Sequence, residues 1–173
     1  MPSNPLLTFY TNTTPDHAGR YLRDIHAFSL DQLESTHDFI QWLFPLDTPS
    51  PVNPFAPTLD AQTIADFRAG PPLQTNLQKS LNLMLNFYGL TRSAAAITRA
   101  QNFPARAHNY LHPNNHNHLR LTRILRSTHL LGLEQESGAL LTALLAIAHD
   151  HPAAITPPTL HFWQNASHVA PPR

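Results

Sequence analysis

Apolar residues recur along this chain with the period of a helix. Leu73, Leu77, Leu81, Met84, Leu85 and Tyr88 follow an i, i+4, i+8 pattern with Gly89 just beyond it, which predicts a helix with a glycine stop. Leu121, Ile124, Leu125, Thr128 and Leu131 share one face from about His118 to Leu131, and Gly132 ends that run. In "ALLTALLAIAHD" the residues Leu140, Leu141, Leu144, Leu145 and Ala148 cluster in the same way. Ser29 and Gln32 read as a capping box opening a helix over about Leu30 to Phe44. Thr58 is the expected cap of another helix with Leu59, Ile64 and Phe67 inward, and Thr156 before Pro157 opens a short last one carrying Phe162 and Trp163.

No stretch alternates with period two, so the expected fold class is all-α: a single compact domain of five to six helices. Pro45, Pro49, Pro51, Pro54 and Pro57 form an extended connector, because proline lacks an amide donor and biases its predecessor toward extended geometry. The expected domain covers residues 1–165, with 166–173 as a flexible tail.

The 173 residues fit one domain with one core. Charged residues are 13% of the chain, against about 25% in typical soluble domains, and 11 basic residues balance 11 acidic ones. No net field draws the chain to nucleic acid or anionic lipid, so any anion site must be local, and no nucleic-acid module is recognisable. Twelve histidines make the charge sensitive to mild acid. The absence of cysteine excludes disulfides, thiolate metal sites and cysteine nucleophiles. Neither a signal peptide nor an apolar run of spanning length is found, which sets the expectation of a soluble, cytoplasmic protein.

"HDFIQWLFP" places His37 and Gln41 within a very apolar stretch. On one helix, Leu33, Ile40 and Phe44 define an arc that includes His37, with Gln41 at its edge, so both side chains are expected to be at least partly buried and to need partners. Candidates lie in residues 96–127, which hold Arg99, Arg106, Arg120, Arg123 and Arg126 within an acid-free run from Arg68 to Glu134. Arg120, Arg123 and Ser127 share a stripe to one side of the leucine face. Several asparagines, His116 and a helix start add donors suited to a carboxylate or phosphate. His112, His116 and His118 have the nitrogen count of a zinc site, but they surround Pro113 without a carboxylate or an i, i+4 pair, so no metal and no cofactor is expected. No phosphate loop, serine nucleophile motif or dinucleotide fingerprint occurs, and no catalytic residue is assigned.

"LESTHDFIQWLFPL", "PSPVNPFAPTL", "LNLMLNFYGL", "RAQNF" and "NNHNHLRLTRILRSTHLLGLE" together resemble the conserved domain of the opioid growth factor receptor family over about residues 6–135. The resemblance implies a soluble helical domain, met-enkephalin binding with growth regulation, receptor activity and a membrane association. It carries over, position by position, His37, Gln41, Arg99, Asn102, His116, Asn117, Arg120, Thr122 and Arg123. The resulting expectation is a polar seam where the His37/Gln41 helix faces the arginine stripe. There an acidic small molecule or peptide binds through Arg99, Arg120 and Arg123, oriented by His37, Gln41 and Asn102, with a protein partner as a further class. The alternatives are a hydrolytic enzyme using His37 or His116 beside the arginines, and a structural interaction domain with no ligand pocket.

Overall fold

The computed structural model describes residues 4–168. They form two compact units, with the boundary after Leu81.

The first unit contains α1 (Pro5–Tyr10), α2 (Leu22–His26), α3 (Leu30–Ser35), α4 (Ile40–Leu43), α5 (Ala61–Ala69) and the first part of α6 (Pro71–Phe87). The capping box at α3 is present: Ser29 Oγ accepts from the Gln32 N–H at 3.2 Å, and Gln32 Oε1 accepts from the Ser29 N–H at 2.8 Å. The helix expected to continue to Phe44 instead stops at Ser35. Thr36 is extended (φ −100°, ψ 127°), and only one turn, α4, follows. Tertiary bonds hold the break open, since Arg20 Nη1 donates to Asp38 Oδ1 at 2.8 Å and Asn53 Nδ2 to the Asp38 carbonyl at 2.9 Å. Leu33 on α3, Ile40 on α4 and Phe44 just past the end of α4 are buried nonetheless.

Helix α5 is capped by Asp60, whose Oδ1 accepts from the Thr63 N–H at 2.7 Å; Thr58 instead offers its carbonyl to Asn4 Nδ2 at 3.1 Å. Leu59, Ile64 and Phe67 are buried as expected. The core joins these to Leu6, Phe9, Tyr10, Leu22, Ile25 and Trp42, with Tyr10 edge-on to both Phe9 and Phe67.

The second unit takes in the end of α6, then β1 (Leu90–Ser93), β2 (Ala96–Arg99), α7 (Phe103–Ala107), α8 (His116–Leu130), α9 (Glu134–Asp150) and α10 (Pro157–Ala166). The structure is therefore mostly helical rather than purely all-α. Its antiparallel hairpin pairs Leu90 with Arg99 and Ser93 with Ala96 around a turn in which Ala94 adopts φ +51°. A four-residue strand offers at most two positions to each face, too few for a visible alternation. Gly89 leads from α6 into the hairpin at φ +72°, and a Cβ there would lie 2.6 Å from the Phe103 Cα. Only glycine fits both the angle and the space.

Helices α8 and α9 pack against each other; Leu121 and Leu125 of the one and Leu140 and Leu144 of the other are buried, and Ser137 Oγ donates to the Leu125 carbonyl at 2.9 Å. Thr156 occupies the cap position of α10 with Pro157 in its first turn. Trp163, wholly buried, donates from Nε1 to the His118 carbonyl at 3.1 Å. Ala166 is the last residue of α10, and the remainder of the expected tail, 169–173, lies outside the described residues. Among the described residues no helix is long and apolar enough to cross a membrane.

Candidate functional site

His37 and Gln41 belong to the first unit, and the other site candidates to the second. His37 is exposed, against the expectation of burial: once the helix breaks at Thr36, position 37 leaves the inward arc. Gln41 is buried, and its Oε1 accepts from Asn53 Nδ2 at 3.3 Å. Its partner thus comes from the proline-rich connector, whose Asn53 also caps the Asp38 carbonyl.

Around this pair Arg20 bridges two carboxylates, Asp16 at 2.7 Å and Asp38 at 2.8 Å. The His17 ring stacks between Trp42 and Phe55, accepts from Trp42 Nε1 at 3.0 Å and lies 3.3 Å from Asp38. His26 bonds Ser80 Oγ at 2.9 Å, and burial, with Lys79 nearby, lowers its pKa to about 4.

In the second unit the start of α8 gathers the amides. The Asn115 side chain caps the helix by accepting from the Asn117 N–H at 2.8 Å. Asn117, fully buried, accepts from the Tyr88 hydroxyl at 3.2 Å and donates to the Asn109 carbonyl at 3.3 Å. Arg120 Nη1 approaches the same Asn117 oxygen at 3.5 Å, and Arg120 is itself buried. One turn on, Arg123 is half-buried, and burial alone lowers its pKa to about 10. Thr122 Oγ1 donates back to the His118 carbonyl at 3.0 Å. The structure thus brings Asn117, Arg120 and Arg123 onto consecutive turns of one helix.

His116 is exposed at the first position of α8. His118 donates from Nε2 to the Tyr110 carbonyl at 2.7 Å, whereas His112 bonds Asn115 at 2.9 Å. Two of the three imidazoles thus bond different partners, and among the described residues no group of three histidines or carboxylates is arranged to hold a metal.

Arg99 and Asn102 are engaged elsewhere. Arg99, on β2, pairs with Asp150 at the end of α9 and covers the Phe103 ring at 4.8 Å. Asn102 donates to the Asn86 side chain at 3.2 Å. Sequence reasoning missed Tyr88 and Tyr110, whose hydroxyls bond Asn117 and the Tyr88 carbonyl; one tyrosine just before the hairpin and one just after α7 look like ordinary core residues.

The charge is unevenly divided. Residues 4–81 carry eight acidic and four basic residues, and residues 82–168 carry three acidic and six basic, all arginine. Of the second unit's acids, Glu136 pairs with Arg92 at 2.9 Å and Asp150 with Arg99.

The family described as the opioid growth factor receptor (OGFr) conserved region matches residues 3–170. The chain is 42% identical over 118 residues to the opioid growth factor receptor of Mus musculus, covering 66% of this chain and 18% of that protein. It is 40% identical over 139 residues to the Homo sapiens receptor, covering 75% and 20%. Opioid growth factor receptor-like protein 1 of Mus musculus is 32% identical over 145 residues, covering 80% and 31%. The chain thus spans about a fifth of the length of the curated receptors it matches. No solved structure matches it.

Proposed function

The chain belongs to the opioid growth factor receptor conserved-region family, and on that premise we propose that it is a noncatalytic binding domain for a peptide-like ligand bearing a carboxylate. The observation that carries this reading is the α8 stripe of Asn117, Arg120 and Arg123 in a unit whose basic residues outnumber its acidic ones two to one. A guanidinium already stripped of part of its water, as Arg123 is, loses less on meeting a carboxylate and gains a charge-assisted, directional bond. The relatives are named as receptors of an opioid growth factor, and the family resemblance of the sequence implies a peptide, met-enkephalin, in that role.

The test is a calorimetric titration of the domain with the opioid peptide met-enkephalin, repeated with Arg123→Ala, Arg123→Lys and Arg120→Ala. Arg123→Ala should weaken binding about tenfold or more, as expected for one charge-assisted bond, with Arg123→Lys between it and the parent. Loss of stability in the alanine variants with unchanged affinity would overturn the reading. A second reading, a structural interaction domain without a ligand pocket, is favoured by the bonding of Asn117 to Tyr88, Asn109 and Arg120. It gains if the peptide fails to bind at all.

A further inference from the structure

Four large apolar side chains stand exposed among the described residues: Val52 and Phe55, at 80% and 73%, and Leu119 and Phe162, at 70% and 57%. They fall two to each unit. Scattered singly, such residues need no account. These two pairs, however, lie on ordered surfaces of opposite charge.

In the first unit both belong to the proline-rich connector, which is a closed loop. The Leu59 N–H donates to the Leu46 carbonyl at 2.9 Å across its stem, and the Ala56 N–H to the Asn53 carbonyl at 3.2 Å across the turn at its tip. Asn53 is buried and anchors the tip from inside, donating to the Asp38 carbonyl and to Gln41. Val52 and Phe55 are left outside, the Phe55 ring nearly parallel to His17 at 5.9 Å. Beside that ring Asp16 and Asp38 share one guanidinium, Arg20, and the Asp38 side chain is half-exposed. The tip thus joins apolar surface to net negative charge, in a unit with eight acidic and four basic residues.

In the second unit Leu119 lies on α8 and Phe162 on α10, helices that pack together. Their neighbours in sequence, His118 and Trp163, meet edge to face at 5.7 Å, and the Trp163 indole N–H bonds the His118 carbonyl. Leu119, Arg123 and Arg126 follow an i, i+4, i+7 spacing along one face of α8, which contains no acidic residue. This unit has three acidic and six basic residues.

We propose that the chain associates with a second copy of itself head to tail, the Val52/Phe55 tip of one protomer seating against the Leu119/Phe162 surface of the next. Charge selects this occupant. Tip against tip would set carboxylates against carboxylates, and α8 against α8 would set arginines against arginines, so both two-fold arrangements are disfavoured. The tip loses little freedom on binding, because its prolines and the Asn53 anchor have already fixed it. Four side chains make a contact at the small end of protein interfaces, so association is reversible and concentration-dependent. A head-to-tail contact leaves one tip and one α8/α10 surface open at its ends, and it therefore propagates or closes into a ring. The inference is independent of the peptide-binding reading.

Sedimentation velocity at protein concentrations up to about 1 mM tests it. The average mass should rise with concentration past that of a dimer, and less steeply at high salt, which screens the charges. Phe55→Ser and Leu119→Ser, both at exposed positions, should each raise the dissociation constant about tenfold or more and leave the circular dichroism unchanged. Val52→Ser and Phe162→Ser should act in the same direction as second lesions of the two surfaces. The deciding sample is an equimolar mixture of Phe55→Ser and Leu119→Ser protein. Each variant keeps the surface that the other has lost, so the mixture should recover one contact of parental strength and stop at a dimer. Association weakened in both variants and not recovered on mixing overturns the head-to-tail arrangement. A protein that stays monomeric over the whole range, or whose association ignores all four substitutions, overturns the proposal outright.

Discussion

The two units solve the same problem, burying apolar surface around helices, with different materials. Residues 4–81 include nine of the prolines, and apart from α6 their longest helix is the nine-residue α5. Such helices are too short to hold themselves. They are fastened by specific polar latches: Arg20 between Asp16 and Asp38, Asn53 on Gln41, Ser80 among Tyr10, His26 and Asn76. The second unit instead runs helices of 15 and 17 residues that pack together and bury their leucines. Order in the first rests on a few irreplaceable bonds, and in the second on an apolar stripe in which each residue is one of many.

The largest effect should come from breaking the tightest latch. The Asp16 side chain has no exposed surface, and it accepts from the N–H groups of Ala18 and Arg20 and from the Arg20 guanidinium. Asp16→Ala should cost about 4 kcal/mol, because it leaves two backbone donors without their acceptor and takes from Arg20 the buried one of its two carboxylates, leaving only the half-exposed Asp38. In the second unit, Leu144→Ala on α9 should cost about 3 kcal/mol through the cavity it leaves. The chain's two tryptophans fall one in each unit, Trp42 and Trp163. Fluorine NMR of 5-fluorotryptophan protein in urea therefore reads the units separately. A cost below about 1 kcal/mol for Asp16→Ala would break the contrast between latches and stripes.

The same contrast decides what could be read from sequence. Helices α6, α8 and α9 were legible because many apolar positions vote for one period, and a single polar intruder does not change the result. The helix expected over Leu30 to Phe44 was misread because its three anchors do lie at helical spacing, while the bonds that break it come from Arg20 and Asn53, remote in sequence. His37 was misplaced for the same reason. The hairpin was too short to alternate. Within the candidate site, Asn117, Arg120 and Arg123 were visible as a stripe, since helix geometry alone puts them on successive turns. What Arg99 and Asn102 do was not, because Asp150 and Asn86 are chosen by tertiary approach.

Acid should act on both units through histidines whose folded form prefers to stay neutral. His26 has its pKa lowered to about 4, by burial first and Lys79 second, against an ordinary value near 6.5. Between these values the unfolded chain binds the proton more readily than the folded one. The stability His26 contributes is thus complete above about pH 6.5, falls as pH drops, and is lost by about pH 4. His118 is shifted the same way, chiefly by burial. His26→Gln should flatten the pH dependence reported by Trp42, on the order of 1 kcal/mol after allowance for its partial exposure, and His118→Gln that reported by Trp163. A slope unchanged by both variants would mean that other groups govern acid stability.

The smallest effect separates ion pairs that fasten from those that decorate. Arg92 and Glu136 are about one-fifth exposed, whereas Arg99 and Asp150 are 39% and 49% exposed. Solvent screens the second pair heavily, and its long side chains lose freedom when held. Arg92→Gln should lower the urea midpoint slightly, and Arg99→Gln should leave it within error of the parent even though Arg99 also covers the Phe103 ring. That insensitivity makes Arg99 a clean probe of binding, because any change in peptide affinity in Arg99→Gln cannot be assigned to unfolding. If Arg99→Gln instead destabilises the second unit as much as Asp16→Ala destabilises the first, then the second unit hangs on latches too. Its leucine stripes would then be a consequence of the fold's order and not its source.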